Sequence, residues 1–285
     1  MLPNFLIIGA PRSGTTHLYQ GLRQHPGVFM SDFKEPMYYA CDDKGGWKGA
    51  ISDKSAYEAL FNGAERYAAA GEASTLYLYS EKAPERIRQE LPSARLVAIL
   101  RNPVDRAFSQ YTFQRFLHTE PFDTFEAALA AEEERKRAHA LPFLFYRQVG
   151  LYGEQIPRYL SAFSKEQLLF LLQDDLDSNP EEVFRRIFSF IGVDPEFQPD
   201  LRYRTNASGV PQHSTLFHLI KFTGRAVKRF IPERMATRLS GQAHKAMLAR
   251  PRIADHTRQQ LQDFFRDDIL RTQALIGCDL SQWLN

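Results

Sequence analysis

Asn4-Phe5-Leu6-Ile7-Ile8-Gly9-Ala10-Pro11-Arg12-Ser13-Gly14-Thr15-Thr16 is the stretch on which the fold turns. Phe5 to Ile8 is an unbroken apolar run with two β-branched residues, the pattern of a strand buried on both faces of a parallel sheet. Gly9 ends the run and Pro11 stops further pairing. From Thr15 to Gln24, Leu18 and Leu22 recur at helical spacing. Strand, glycine loop and helix are the architecture of a phosphate cradle, in which loop amides converge and the helix N-terminus adds partial positive charge; an ordinary strand–turn–helix corner is the alternative. The spacing Gly9-x4-Gly14-Thr15-Thr16 departs from the triphosphate loop G-x4-G-K-[S/T]. Thr15 stands where the lysine belongs, and the base sits three residues earlier as Arg12. The loop can hold a phosphate but lacks the group that reaches a β/γ-phosphate.

The rest of the chain repeats the strand–helix theme. Tyr67 to Glu72 is a small-residue strand, and Arg95 to Leu100 and Gln167 to Leu172 are two more runs suited to burial on both faces. Helical spacing covers Ser55 to Phe61, Pro84 to Leu91, Val104 to Leu117, Thr124 to Ala138, Tyr152 to Phe163, Glu181 to Ile191 and Asp255 to Ile276. Pro180 suits a helix start, and Gly192 and Gly277 suit helix ends. This alternation predicts an α/β fold: a P-loop-type parallel β-sheet flanked by helices, as a single domain over 1–285. With 44% hydrophobic and 25% charged residues the chain has a globular composition, and its net charge of +2 points to no nucleic-acid partner. The longest apolar run falls short of a membrane span, and the first strand starts too near Met1 for a cleaved signal. Cys41 and Cys278 give neither a disulfide framework nor metal-ligand spacing, so the expectation is a reducing, cytoplasmic protein without a metal.

Several residues stand where chemistry is done. Arg101 follows the Arg95–Leu100 strand, the zone where open α/β sheets bind ligands. Ser109 lies two turns inside the next helix. Lys34-Glu35-Pro36 is extended or turn backbone, because Pro36 disfavours a helical Glu35. Asp174-Asp175 follows a strand and reads as loop carboxylates. The run Glu132-Glu133-Glu134-Arg135-Lys136-Arg137 reads as a solvated helix face. Residues 202–252 hold eleven Lys or Arg against one acidic residue, Glu233.

Four segments are similar to sulfotransferases that use 3′-phosphoadenosine 5′-phosphosulfate (PAPS). Pro11-Arg12-Ser13-Gly14-Thr15-Thr16 resembles their 5′-phosphosulfate loop. Lys34-Glu35-Pro36-x-Tyr38-Tyr39 resembles the acidic motif of the heparan-sulfate-type branch. Arg101-Asn102-Pro103-Val104-Asp105-Arg106-Ala107-Phe108-Ser109-x-Tyr111 resembles their 3′-phosphate motif. Asp279-Leu280-Ser281-x-Trp283-Leu284 resembles the end of bacterial members. Glu72-Ala73-Ser74-Thr75 stands where heparan-type members often carry Glu-Lys-Ser-Pro, so a lysine facing the acceptor is missing. The membrane anchor and luminal cysteine pair of animal Golgi members are also missing, and a soluble, bacterial-type enzyme is expected.

The resemblance implies transfer of a sulfuryl group from PAPS to a hydroxyl or amine, with 3′,5′-ADP as product and no metal. PAPS has no β/γ-phosphates to bridge, which accounts for the lost lysine. Arg12 would stabilise charge on the leaving oxygen. Ser13, Gly14, Thr15 and Thr16 would hold the 5′-phosphate, and Arg101 and Ser109 the 3′-phosphate. Arg204 and Gly209 fall where the family closes a late loop over the nucleotide. Glu35 is the expected general base, Lys34 tunes it or steadies the transferring group, and His118 is the competing base. Tyr38, Tyr39 and Tyr77 line the acceptor cleft or belong to the core. Residues 202–252 form either a basic flap or cap over the cleft or a helix pair packed on the core. The expected acceptor is a small molecule, a glycan or a lipid-linked molecule; the positive charge of a flap would attract an anionic or membrane-associated one, with peripheral membrane contact in the latter case. Two other classes stand beside this one: a P-loop kinase and an inactive 3′,5′-ADP-binding protein.

Overall fold

A computed structural model describes residues 2–41, 49–202, 210–211, 248–249 and 252–285. Its centre is a five-stranded parallel sheet of order β2-β3-β1-β4-β5. The strands are β1 (Phe5–Gly9), β2 (Val28–Met30), β3 (Ala69–Ala73), β4 (Arg95–Leu100) and β5 (Leu168–Leu172). The helices, in chain order, are α1 (Thr15–Leu22), α2 (Lys54–Ala59), α3 (Ala83–Glu90), α4 (Pro103–Phe116) and α5 (Phe125–Ala130). There follow α6 (Glu132–Arg137), α7 (Tyr152–Ala162), α8 (Gln173–Ser178), α9 (Pro180–Ile191) and α10 (Asp255–Ile276).

β1 is the central strand, so Phe5 to Ile8 are fully buried. Their side chains alternate between two layers. Phe5 and Ile7 pack with Leu18 and Leu22 of α1 and with Phe184 and Ile187 of α9. Leu6 and Ile8 share the opposite layer with Ile87 of α3, Tyr159 of α7 and Phe265 of α10. Each such side chain contributes about 1.5–3 kcal/mol on burial, which fixes the strand that leads into the loop around Arg12. Gly9 closes it because nothing larger fits: a Cβ there would lie 2.7 Å from the Leu78 Cβ. Gly14 caps α1 at φ 96°, a left-handed conformation open to glycine.

α4 begins as its sequence dictates. Pro103 is the first helical residue, and the Asn102 side chain accepts from the Val104 amide at 3.0 Å. α9 starts at Pro180 and ends at Gly192 with φ 82°.

Three expectations are corrected. The helix expected over Thr124–Ala138 breaks at Ala131 into α5 and α6. The cause is burial of part of the charge run, not solvation. Glu132 is fully buried and accepts from the amides of Arg147 and Gln148, while Arg135 bonds Glu120 at 2.7 Å. Asp174 and Asp175 lie in the first turn of α8, not in a loop, and Asp174 accepts from Trp283 Nε1 at 3.0 Å. For Tyr38, Tyr39 and Tyr77 no correction is needed: of the two alternatives the core holds, and they form one buried aromatic cluster with Tyr57.

Val210–Pro211 pairs antiparallel with Leu248–Ala249 beside α4, which brings the two ends of the basic stretch together. The rest of that stretch, with Arg204, Gly209 and the expected flap, lies outside the described residues. Among the described residues, no helix is long and apolar enough to cross a membrane.

Candidate active site

The sheet order places the site. From β1 the chain runs to one side, to β2 and β3; from β4 it runs to the other, to β5. The crevice where the connections diverge opens beyond the C-terminal ends of β1 and β4. The loops after β1, β2, β3 and β4 all end there.

The β1 and β4 loops carry cations. Arg12 has φ 67°, a left-handed conformation uncommon outside glycine, and with Gly14 it turns the loop back on itself. The amides of Ser13, Gly14, Thr15 and Thr16 donate to no acceptor among the described residues. The buried Ser13 hydroxyl likewise finds no partner in hydrogen-bond geometry. Arg12 Nε donates to Ser109 Oγ at 3.2 Å, and its guanidinium lies 4.3 Å from the centroid of the Phe113 ring. Arg101 Nη1 donates to the Arg12 carbonyl at 3.1 Å. Two motifs 97 residues apart (measured from Arg12 to Ser109) thus meet in one place. Burial, reinforced by the neighbouring Arg101 cation, pushes the Arg12 guanidinium down to about 10, so it stays charged at neutral pH.

The β2 and β3 loops carry carboxyls. Glu35 also has a left-handed backbone, φ 64°. Its amide donates to the Ala73 carbonyl at 2.9 Å, which ties the loop to the end of β3. Its carboxylate accepts from Lys34 Nζ at 2.6 Å, from the Thr75 amide at 2.8 Å and from the Thr75 hydroxyl at 3.1 Å. The Lys34 and Glu35 side chains remain 23% and 30% exposed, so the pair is neither solvated freely nor sealed. Ser74 Oγ accepts from the Met37 amide at 2.9 Å and adds a second tie. Beneath them Glu72 is fully buried, with the Tyr57 hydroxyl 3.4 Å from its Oε1. Burial, opposed by bonds from Tyr77, Ser74 and Tyr57 and aided by the Glu35 charge, raises Glu72 to about 8.

Of the residues singled out in the sequence, Arg12, Ser13, Gly14, Thr15, Thr16, Arg101 and Ser109 gather at the first pair of loops. Lys34 and Glu35 sit at the second. His118 is exposed just past the C-terminal end of α4, with φ 58°. Thr75 holds the Glu35 carboxylate, although the sequence marks it only as a departure from a motif. Phe113 stacks on Arg12 and was signalled only by its i+4 spacing from Ser109. Tyr152, whose hydroxyl donates to the Arg101 carbonyl at 3.1 Å, carried no signal beyond an apolar helix face. Trp283 is tied to Asp174, and its carbonyl accepts from Asn102 Nδ2 at 3.4 Å, so the C-terminal segment buttresses the Arg101 loop.

Comparison with known proteins gives the family. A family model described as the sulfotransferase domain matches residues 2–208. The chain is 30% identical over 211 residues to bifunctional heparan sulfate N-deacetylase/N-sulfotransferase 4 of Mus musculus, a match covering 69% of this chain and 23% of that protein. It is 27% identical over 289 residues to carbohydrate sulfotransferase 15 of Homo sapiens, covering 80% of this chain and 51% of that protein. It therefore spans about a quarter of the first relative and half of the second. Among solved structures, a sulfotransferase from Alicyclobacillus acidocaldarius is 31% identical with a TM-score of 0.80, covering 100% of both chains. A family match over more than half of its length, on a five-stranded parallel sheet flanked by helices, makes this chain a member of the sulfotransferase-domain family.

Proposed function

We propose that the protein transfers the sulfuryl group of PAPS to a hydroxyl or amine of its acceptor and releases 3′,5′-ADP. The observation that supports this reading is the Arg12–Ser109 bond beside Arg101, which brings the residues of two motifs together at the end of β1. The unpartnered amides of residues 13–16 and the Thr15 and Thr16 hydroxyls take the 5′-phosphate. Arg101 and Ser109 take the 3′-phosphate. The acceptor oxygen or nitrogen attacks sulfur in line and loses its proton to Glu35. The bond from sulfur to the bridging oxygen breaks, and Arg12 stabilises the negative charge left on the phosphate. Lys34, already bonded to Glu35, either holds the carboxylate in place or steadies the sulfuryl oxygens. His118 is the alternative base. Arg204 and Gly209 enter by resemblance as contacts to the nucleotide.

The names of the relatives, which refer to heparan sulfate and carbohydrate, support a glycan as the acceptor class, with small molecules and lipid-linked sugars as alternatives. A cytoplasmic location is part of the same proposal. Incubation with radiolabelled PAPS and a panel of such acceptors, with and without EDTA, tests it. Label passing to an acceptor regardless of EDTA is the expected result. Turnover with ATP and Mg²⁺ but not with PAPS would overturn it in favour of a kinase.

A further inference from the structure

Arg106 lies one turn into α4, the helix that Arg101 precedes, and it is 0% exposed. Its Nη2 donates to the Tyr146 carbonyl. Nε and Nη1 are buried and have no hydrogen-bond partner among the described residues. No carboxylate stands within ion-pair distance of it among those residues. The carboxylate that acts on it, Glu132, is occupied by the Arg147 and Gln148 amides and by Arg147 Nε. The remaining groups facing it are the Tyr152 and Tyr146 phenols and the like-charged Arg101. Tyr152 also donates to the Arg101 carbonyl, so the Arg101 backbone and the Arg106 guanidinium share a neighbour.

A buried cation with two idle nitrogens and a second cation beside it is unfavourable in the free protein. Burial also strengthens its field, because a side chain with 0% exposure is poorly screened by solvent. A dianion held by Arg101 and Ser109 would supply the missing opposite charge. We propose that Arg106 is a specificity residue that favours the 3′-phosphate of the donor through its buried charge, without touching it. This rests on the donor reading given above. It predicts opposite signs for two measurements that a merely structural arginine would move together.

Calorimetric titration with 3′,5′-ADP and 5′-AMP, together with thermal unfolding without nucleotide, tests it on the wild type, Arg106→Gln and Arg106→Lys. Glutamine keeps a donor for the Tyr146 carbonyl and removes the charge; lysine keeps the charge. In Arg106→Gln the preference for 3′,5′-ADP should fall on the order of 10-fold, with 5′-AMP affinity unchanged. Its unfolding temperature should be equal to or above that of the wild type. Arg106→Lys should retain most of the preference. An intact preference in Arg106→Gln, an equal loss in both variants, or an Arg106→Gln that is destabilised or unfolded overturns the proposal. A wild-type preference lost in Arg101→Ala but kept in Arg106→Gln removes this inference alone. A wild type with no preference removes the donor reading and this inference with it.

Discussion

Around β1 and β4 stand Arg12 and Arg101, with Arg106 fully buried one turn into α4, and among the described residues no carboxylate bonds any of them. Around β2 and β3 stand Glu35 and Glu72, set among an ammonium, two hydroxyl side chains, an amide and tyrosines. The first side is held together by two carbonyls and the Ser109 hydroxyl, which accept from guanidinium groups and position the cations without neutralising them. The second is held by donors that accept the charge of one carboxylate while burial keeps the other neutral. One half of the site therefore holds cations without a counter-charge among the described residues, which on the proposed reading the donor supplies, whereas the other is organised beforehand. An enzyme that binds a polyanionic donor and deprotonates a neutral acceptor needs that asymmetry.

The carboxylate side is broken most severely at Glu35. Glu35→Gln should lower kcat on the order of 10²–10⁴-fold, the range for loss of a general base, while 3′,5′-ADP affinity stays at the wild-type level. Steady-state kinetics beside titration separates the two. Near-normal turnover in Glu35→Gln, with the loss appearing in His118→Ala, would move the base to His118.

Glu72 sharpens the same side through pH. Its carboxyl titrates near 8 in the folded protein against an ordinary 4.5. From pH 4.5 to 8 the unfolded chain has lost this proton while the folded chain keeps it, so stability falls as pH rises and levels off above about 8. The slope is about 1.4 kcal/mol per pH unit at most. Glu72→Gln abolishes that slope and should exceed the wild type in stability at pH 8 by a few kcal/mol, with little difference near pH 4.5. Urea unfolding at both pH values reads this out; parallel slopes would show that Glu72 is ionised when folded.

On the cationic side, Arg101→Ala should cost about 1.5–3 kcal/mol of 3′,5′-ADP binding, the range for a charged hydrogen bond, and leave 5′-AMP affinity nearly unchanged. The smallest effect is expected at the buttress. Trp283→Phe removes the bond to Asp174 and should lower stability by about 1 kcal/mol. Thermal unfolding measures it, and a neutral result would mean that packing alone holds the C-terminal segment.

What could be read from the sequence was local. The Phe5–Ile8 run, the Asn102-Pro103 helix start and the position of Arg101 after a strand each depend on neighbours in the chain, and each is found in the fold. What escaped depends on distant partners. Thr75 reaches Glu35 across 40 residues, and Glu132 is drawn inward by amides 15 and 16 residues away, which splits a helix that its own periodicity predicts as continuous. Tyr38, Tyr39 and Tyr77 look the same in sequence whether they line a cleft or a core, and only the packing against Tyr57 assigns them to the core. The left-handed backbone at Arg12 and Glu35 leaves no trace in residue type, since neither is a glycine.

The central claim is that the crevice reads two phosphates on one nucleoside without a metal. Titration calorimetry of the wild-type protein with 3′,5′-ADP and with 5′-AMP, each repeated in EDTA, tests it most directly. The account predicts that 3′,5′-ADP binds at least about 10-fold more tightly, the worth of one charged hydrogen bond, and that EDTA changes neither affinity. Equal affinities for the two nucleotides, or binding abolished by EDTA, would contradict it.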